Sequence, residues 1–429
     1  MAGEIRALNV GAIPPYLLGS LAEAILGLRN EGNEVVDLSQ VNPEVDPPRF
    51  GVDKIIQYAL RPENHRYSSS SGISRLRESC AHYYRNRYGV ELDPGSEIVT
   101  TMGAKEGVFH LMLASLGVGE HVLLPTPGYP IHNSAVFIAR GTCVSFSLGE
   151  SVIAEYSRPG GSVPVLTGES DEFFVNLRKT LDQITPQPRF LVCGFPHNPT
   201  GVVATREFFC RLVDFAREHD VVIVHDNAYQ TIGYDGYRTP SIMEAPGAKD
   251  CAVELFSMSK GFGIAGWRVG FMVGNPKLVA ALKKVKSYVD FGIWQPLQLA
   301  ACVVLDRAGL VVDELNQDYQ SRRNVLVGGL ENAGWQVKTP LSTLFSWAKI
   351  PEAHPLSHDS MRFAHALLRE CHVAVCPGRG FGLEGEGFLR IAFSARPDVL
   401  QNAVERMANF SGSSAGFESS DGLGRSTGL

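Results

Sequence analysis

Between residues 97 and 257 short apolar runs rich in β-branched residues alternate with longer amphipathic stretches. That rhythm predicts a mostly parallel sheet covered by helices, since strands alternating with amphipathic stretches are how such a sheet is built. Five runs predict strands: Glu97–Thr100, His121–Leu124, Phe190–Cys193, Val221–Val224 and Val253–Ser257, each running into a polar or Gly/Pro-rich turn. In open α/β sheets ligands gather outside the carboxyl ends of the strands, so those turns predict where chemistry sits.

After about residue 310 the texture changes. An acidic helical stretch (Asp313–Leu330), strand-like alternation over Gly334–Ile350, a helix near Ser360–Arg369 and a Gly-rich loop before Phe388–Phe393 predict a smaller α+β domain. The expected organisation is an N-terminal arm with part of the small domain over 1–45, a large domain over 46–310 and a small domain over 311–410. The Ser- and Gly-rich stretch 411–429 is expected to be disordered, because it has too few large apolar groups to offset its ordering entropy.

Composition narrows the partners. The 429 residues carry a formal charge of −6, leaving no excess of Lys and Arg for a nucleic-acid backbone or an anionic lipid surface. No window approaches the roughly 18 continuous apolar residues of a membrane span, and the first residues lack a basic region leading into an apolar one. A cytoplasmic protein with reduced thiols is expected, since the eight cysteines are dispersed with no C-x-x-C. No metal site is expected either, as no Cys/His cluster has zinc spacing.

Six local patterns carry the chemistry. In SMSKGFGIAGWRVGF a strand ends in hydroxyl residues, then Lys260, then a glycine-punctuated turn, with Arg268 eight positions on. A lysine at a buried strand end is costly when charged, which suits an amine that must attack an aldehyde. Ser257, Ser259 and Arg268 offer donors to a dianion. In VVIVHDNAYQ a strand delivers Asp226, followed by Tyr229. Asp226 either meets a protonated ring nitrogen or caps the next segment. In FLVCGFPHNPTG a strand runs into Asn198, a candidate donor to a phenolic oxygen beside Tyr229, with His197 read as a packed neighbour. In EIVTTMGAKEGVF, Gly103 turns the chain into a helix whose first amides, at Ala104 and Lys105, form an anion site. In LLPTPGYPIH, Tyr129 could stack on a planar ring or fill the core. In GEGFLRIAF, Arg390 sits inside an apolar strand, so a carboxylate from the protein or from a substrate should meet it.

In this order the patterns resemble those of the fold type I pyridoxal-5′-phosphate (PLP) enzymes, most closely the class I/II aminotransferases of bacterial alanine and LL-diaminopimelate type. The resemblance spans about residues 14–410. It implies an aspartate aminotransferase-like α/β fold: a large domain with a mostly parallel seven-stranded sheet, plus a smaller α+β domain. It implies that Lys260 carries the cofactor as a Schiff base and shuttles protons, with Asp226 at the pyridinium and Asn198 with Tyr229 at the phenolic oxygen. Gly103, Ala104, Lys105, Ser257, Ser259 and Arg268 would meet the phosphate, Tyr129 would stack on the ring, and Arg390, with Asn198 and Val41, would meet the substrate. Tyr67 matches a tyrosine that crosses a dimer interface to the partner's phosphate, which implies a homodimer.

Three features depart from that pattern. Val41 stands in Ser39-Gln40-Val41-Asn42-Pro43 where glycine is usual, Phe262 and Gly263 replace common Tyr and Asn, and residues 149–172 read as an inserted loop. The expected reaction is transamination between an α-amino acid and a 2-oxo acid. These departures keep open an elimination, replacement or ring closure on an activated amino acid such as S-adenosylmethionine. A PLP-binding regulator is disfavoured, since no DNA-binding extension accompanies the domain.

Overall fold

A computed structural model of the chain describes residues 17–156, 160–408 and 410. Its centre is a seven-stranded sheet of β1 (Ile98–Thr101), β2 (His121–Thr126), β3 (Thr142–Ser147), β4 (Phe190–Cys193), β5 (Val222–Asn227), β6 (Ala252–Ser257) and β7 (Gly270–Gly274). The spatial order is β1-β7-β6-β5-β4-β2-β3. Only β7 is antiparallel to its neighbours, so the other six strands end on one edge.

Both faces of this sheet are covered, which is why its strands read as continuous apolar runs. Leu191 and Ile223 point into one core, with Phe173, Phe208 and Phe256. Val192 and Val224, one position along, point into another beneath the helix Ala104–Ser115.

A second sheet is formed by β8 (Gln336–Val337), β9 (Phe345–Lys349), β10 (Cys376–Pro377) and β11 (Phe388–Ala392), in the order β8-β9-β11-β10. The helices Ala308–Asn332, Ser360–Cys371 and Pro397–Ala408 pack with it into a separate core. The N-terminal segment joins this domain, because Val36–Asp37 pairs in parallel with Val373–Ala374. Among the described residues no single helix is long and apolar enough to cross a membrane.

Some expected boundaries shift. β5 runs on through Asn227, so Asp226 lies within the strand's last residues, paired across from Leu255 of β6, rather than beyond its end. β3 and β7 were missed. β3 is partly exposed along most of its length, and β7 is a glycine-bounded run inside the stretch already read as a turn.

The segment 149–172 is also more than a loop. It forms the helix Glu150–Tyr156 and the strand Val165–Leu166, which pairs with Val203–Ala204. Tyr156 donates to the Thr200 carbonyl, and Val163 N–H donates to Thr339 O at 3.1 Å, tying the segment to the turn after β4 and to the small domain. The stretch 411–429, expected to be disordered, lies outside the described residues.

The turn after β6 is packed to contact against the segment following β5. A Cβ placed on Gly261 would stand 1.5 Å from Thr231 Oγ1 and 2.7 Å from its Cβ, so Gly261→Ala forces these segments apart. The expected cost is about 1–3 kcal/mol, read as a lowered Cm in urea at unchanged slope. A midpoint equal to wild type would contradict this packing.

Candidate active site

A cavity of about 290 Å³ opens at the shared edge of the six co-directional strands, between the two domains. Of the expected residues, Ala104 and Lys105 reach it from the turn after β1, Tyr129 from that after β2, and Asn198 from that after β4. Asp226 and Tyr229 come from β5 and its turn, and Ser257, Ser259, Lys260 and Arg268 from β6 and the turn beyond. Val41 and Arg390 close it from the small-domain side. Gly103 lies just behind as the residue preceding the helix, and Tyr67 is elsewhere, exposed and stacked on Phe291 at 4.2 Å.

Lys260 is held where its charge is disfavoured. Burial, with Arg390 and Arg268 adding repulsion, pushes its amine down to about 8. Its Nζ donates to the Val41 carbonyl, so the position that departs from the usual glycine contacts the lysine through its backbone.

At one end of the cavity the chain makes an anion cradle. Gly103 (φ 85°) allows a close approach that a side chain would block, since a Cβ there would lie 2.4 Å from Arg268 Nη2. No side chain caps the helix Ala104–Ser115, whose amides and dipole face this end. Arg268 is itself in the left-handed region (φ 56°) and is held there by donating to Met102 O at 2.9 Å and Ala265 O at 3.1 Å. Burial and the nearby Arg268 lower the pKa of Lys105.

The middle of the cavity is built around Asp226. Its Oδ2 is 3.0 Å from His132 Nε2, while its Oδ1 is buried without a partner. An unmet buried carboxylate oxygen beside a planar-sized cavity fits a protonated ring nitrogen. His132 was missed by sequence reasoning, although its place three residues after Tyr129 puts both side chains on one turn, with rings edge-to-face at 5.5 Å. Burial raises the Tyr229 phenol, with Arg390 opposing and Asp226 adding, so it stays protonated and able to donate. His197 is buried and bonded to Thr200 Oγ1 at 2.8 Å. Burial, with His132, pushes it down to about 3, so it remains a neutral neighbour.

At the far end, Arg390 meets no carboxylate among the described residues. Nη1 donates to Asn198 Oδ1 and Nη2 to Ser39 O, both at 2.9 Å, while Nε is buried and unmet. The guanidinium lies between the rings of Phe345 and Phe381, 5.2 and 4.9 Å from their centroids, which fixes its plane.

The sequence profile of the family "Aminotransferase class I and II" matches residues 33–407. The chain is a class I/II aminotransferase. It is 42% identical over 401 residues to the glutamate-pyruvate aminotransferase AlaC of Escherichia coli strain K12, covering 94% of this chain and 92% of the relative. An LL-diaminopimelate aminotransferase of Moorella thermoacetica is 34% identical over 402 residues, covering 94% and 97%. Among solved structures, substrate-bound BacF of Bacillus subtilis superposes with a TM-score of 0.84 at 30% identity, covering 94% of this chain and 97% of that one. An aspartate aminotransferase double mutant of Thermus thermophilus gives 0.82 at 26%, covering 94% and 99%. The aminotransferase therefore moves an amino group between an α-amino acid and a 2-oxo acid, and these relatives support that reaction over elimination or ring closure.

Outside the cavity Glu106, His110 and Asp290 converge as metal ligands could. The Lys286 ammonium already lies 3.0 Å from Glu106 and 2.9 Å from Asp290, so this aminotransferase meets their charge internally.

Only the unprotonated Lys260 amine can attack an aldehyde. Because its pKa is depressed, the rate at which Lys260 reacts with an added aldehyde should rise with pH through a midpoint near 8 and then level off. A rate still climbing towards about 10.4, the value of an ordinary lysine, would contradict the desolvated environment.

Proposed function

We propose that Lys260 binds PLP, that Asp226 meets its ring nitrogen, and that Asn198 and Tyr229 donate to its phenolic oxygen. Gly103, Ala104, Lys105, Ser257, Ser259 and Arg268 hold the phosphate, and Tyr129 lies against the ring. When bound, the cofactor supplies an aldehyde that joins amines and a ring that accepts the electron pair left as an α-proton departs. Arg390 binds the substrate α-carboxylate through a face held by Asn198, Phe345 and Phe381, which aims the α-hydrogen at Lys260. Lys260 Nζ, with its depressed pKa, then takes that proton at neutral pH.

The observation that carries this reading is the charge of the cavity. Lys260, Arg268 and Arg390 line it, against the single carboxylate of Asp226 among the described residues. A phosphate dianion answers Arg268 and Lys105, and a substrate carboxylate answers Arg390. The glutamate-pyruvate relative makes L-alanine and 2-oxoglutarate the first candidate substrates.

A homodimer completes the reading. Tyr67, Tyr288 and Phe291 are 83%, 86% and 59% exposed, an apolar aromatic surface suited to a second copy that would receive Tyr67. The eight cysteines are all free thiols, which supports a cytoplasmic setting.

Transamination of L-alanine with 2-oxoglutarate should release pyruvate, and Arg390→Ala should lower kcat/KM for alanine by about hundredfold or more, chiefly through KM. Turnover confined to dicarboxylic donors, or an unchanged KM in the variant, would contradict these assignments.

A further inference from the structure

Behind the sheet, on the face away from the cavity, Glu254 of β6 is fully buried and accepts six hydrogen bonds. Its Oε1 receives Tyr84 Oη at 2.7 Å, Gln230 Nε2 at 2.7 Å and Ser241 Oγ at 2.8 Å. Its Oε2 receives His225 Nδ1 at 2.9 Å, Ile242 N–H at 3.0 Å and Asn227 Nδ2 at 3.2 Å. Burial opposes its charge, but the bonds from His225, Tyr84 and Ser241 outweigh it, and its pKa lies below the usual carboxylate value. The carboxylate is thus a fixed anion with its lone pairs filled.

The residues it holds are not scattered. His225 and Asn227 flank Asp226 on β5, and strand alternation sends their side chains to the back of the sheet as Asp226 goes to the front. Gln230 follows Tyr229. His225 lies across from Glu254 in register, and its Nε2 accepts the Phe195 N–H at 3.2 Å, which leaves Nδ1 to donate to Glu254. Phe195 leads through two residues to Asn198. Glu254 itself leads through β6 to Ser257 and Lys260.

We propose that the Glu254–His225 couple is a positioning device for the transamination site. One buried carboxylate sets the relative places of three segments that carry Asp226 with Tyr229, Asn198 and Lys260. Neither residue touches the cavity. Their effect passes through the backbone: releasing Phe195 N–H loosens the turn that keeps Asn198 on Arg390, and releasing His225 and Asn227 loosens the strand end that aims Asp226. The proposal rests on the cofactor reading given above.

The test uses holoenzyme of wild type, E254Q, H225L and H225Q. It reads the pH midpoint of the bound cofactor's visible absorbance, and kcat and KM separately. Hydrogen bonds from Asn198 and Tyr229 and the charge of Asp226 set that midpoint. H225L and E254Q should therefore move it by about half a pH unit or more and lower kcat by about ten- to hundredfold, with donor KM within about threefold. H225Q, whose carboxamide oxygen can accept the Phe195 amide, should return the midpoint to within about 0.2 unit of wild type. A scaffolding role would lower Tm but leave the folded holoenzyme's midpoint and kcat unchanged. That result overturns the proposal, as does H225Q behaving like H225L. Should E254Q fail to fold, the two His225 variants decide by the same criteria at a temperature where both are folded. A wild-type holoenzyme without a visible band would overturn the cofactor reading and this proposal together, whereas a normal wild-type band with an unchanged H225L overturns the proposal alone.

Discussion

Everything at the domain boundary depends on one constraint: the cavity there gathers several cations around one carboxylate among the described residues. Lys260, Arg268 and Arg390 converge on it, and Asp226 supplies the single carboxylate. Such an arrangement favours the binding of anions. The depressed Lys260, the unmet Oδ1 of Asp226 and the unmet Nε of Arg390 are three local features of that cavity.

The sheet makes this arrangement tolerable by separating two kinds of carboxylate. Asp226 and Glu254 lie on adjacent strands, β5 and β6, but face opposite sides. Glu254 is saturated with donors and fixes its surroundings, whereas Asp226 keeps one oxygen open. A closed network behind and an open one in front is what strand alternation allows at a sheet edge, where β5 can turn its even positions to chemistry and its odd positions to bracing. Arg390 links the second domain to the same frame through Asn198, so the two sides of the cavity are fixed relative to each other.

The sequence made the fold and the cavity's lining largely legible, because both depend on patterns local in the chain. Apolar runs gave β1, β2, β4 and β6 within a residue or two at their ends, and the residues just beyond them gave Lys260, Asn198, Ala104 and the adjacent Lys105. What escaped depends on pairing across the fold. β7 is recognisable only once β1 and β6 bracket it, and His132 matters because of a carboxylate 94 positions later. Glu254 drew no reading from the sequence, since its partners at 84, 225, 230 and 241 belong to other segments. The segment 149–172 read as a loop because its helix and strand are short and gain their order from Thr200 and Thr339.

The central claim is that Lys260 is the amine joined to the cofactor. The most direct measurement is borohydride trapping of the holoenzyme followed by peptide mass spectrometry. A phosphopyridoxyl label on the peptide bearing Lys260, absent in Lys260→Ala, is the predicted result. A label on another lysine, or its persistence in that variant, would contradict the claim.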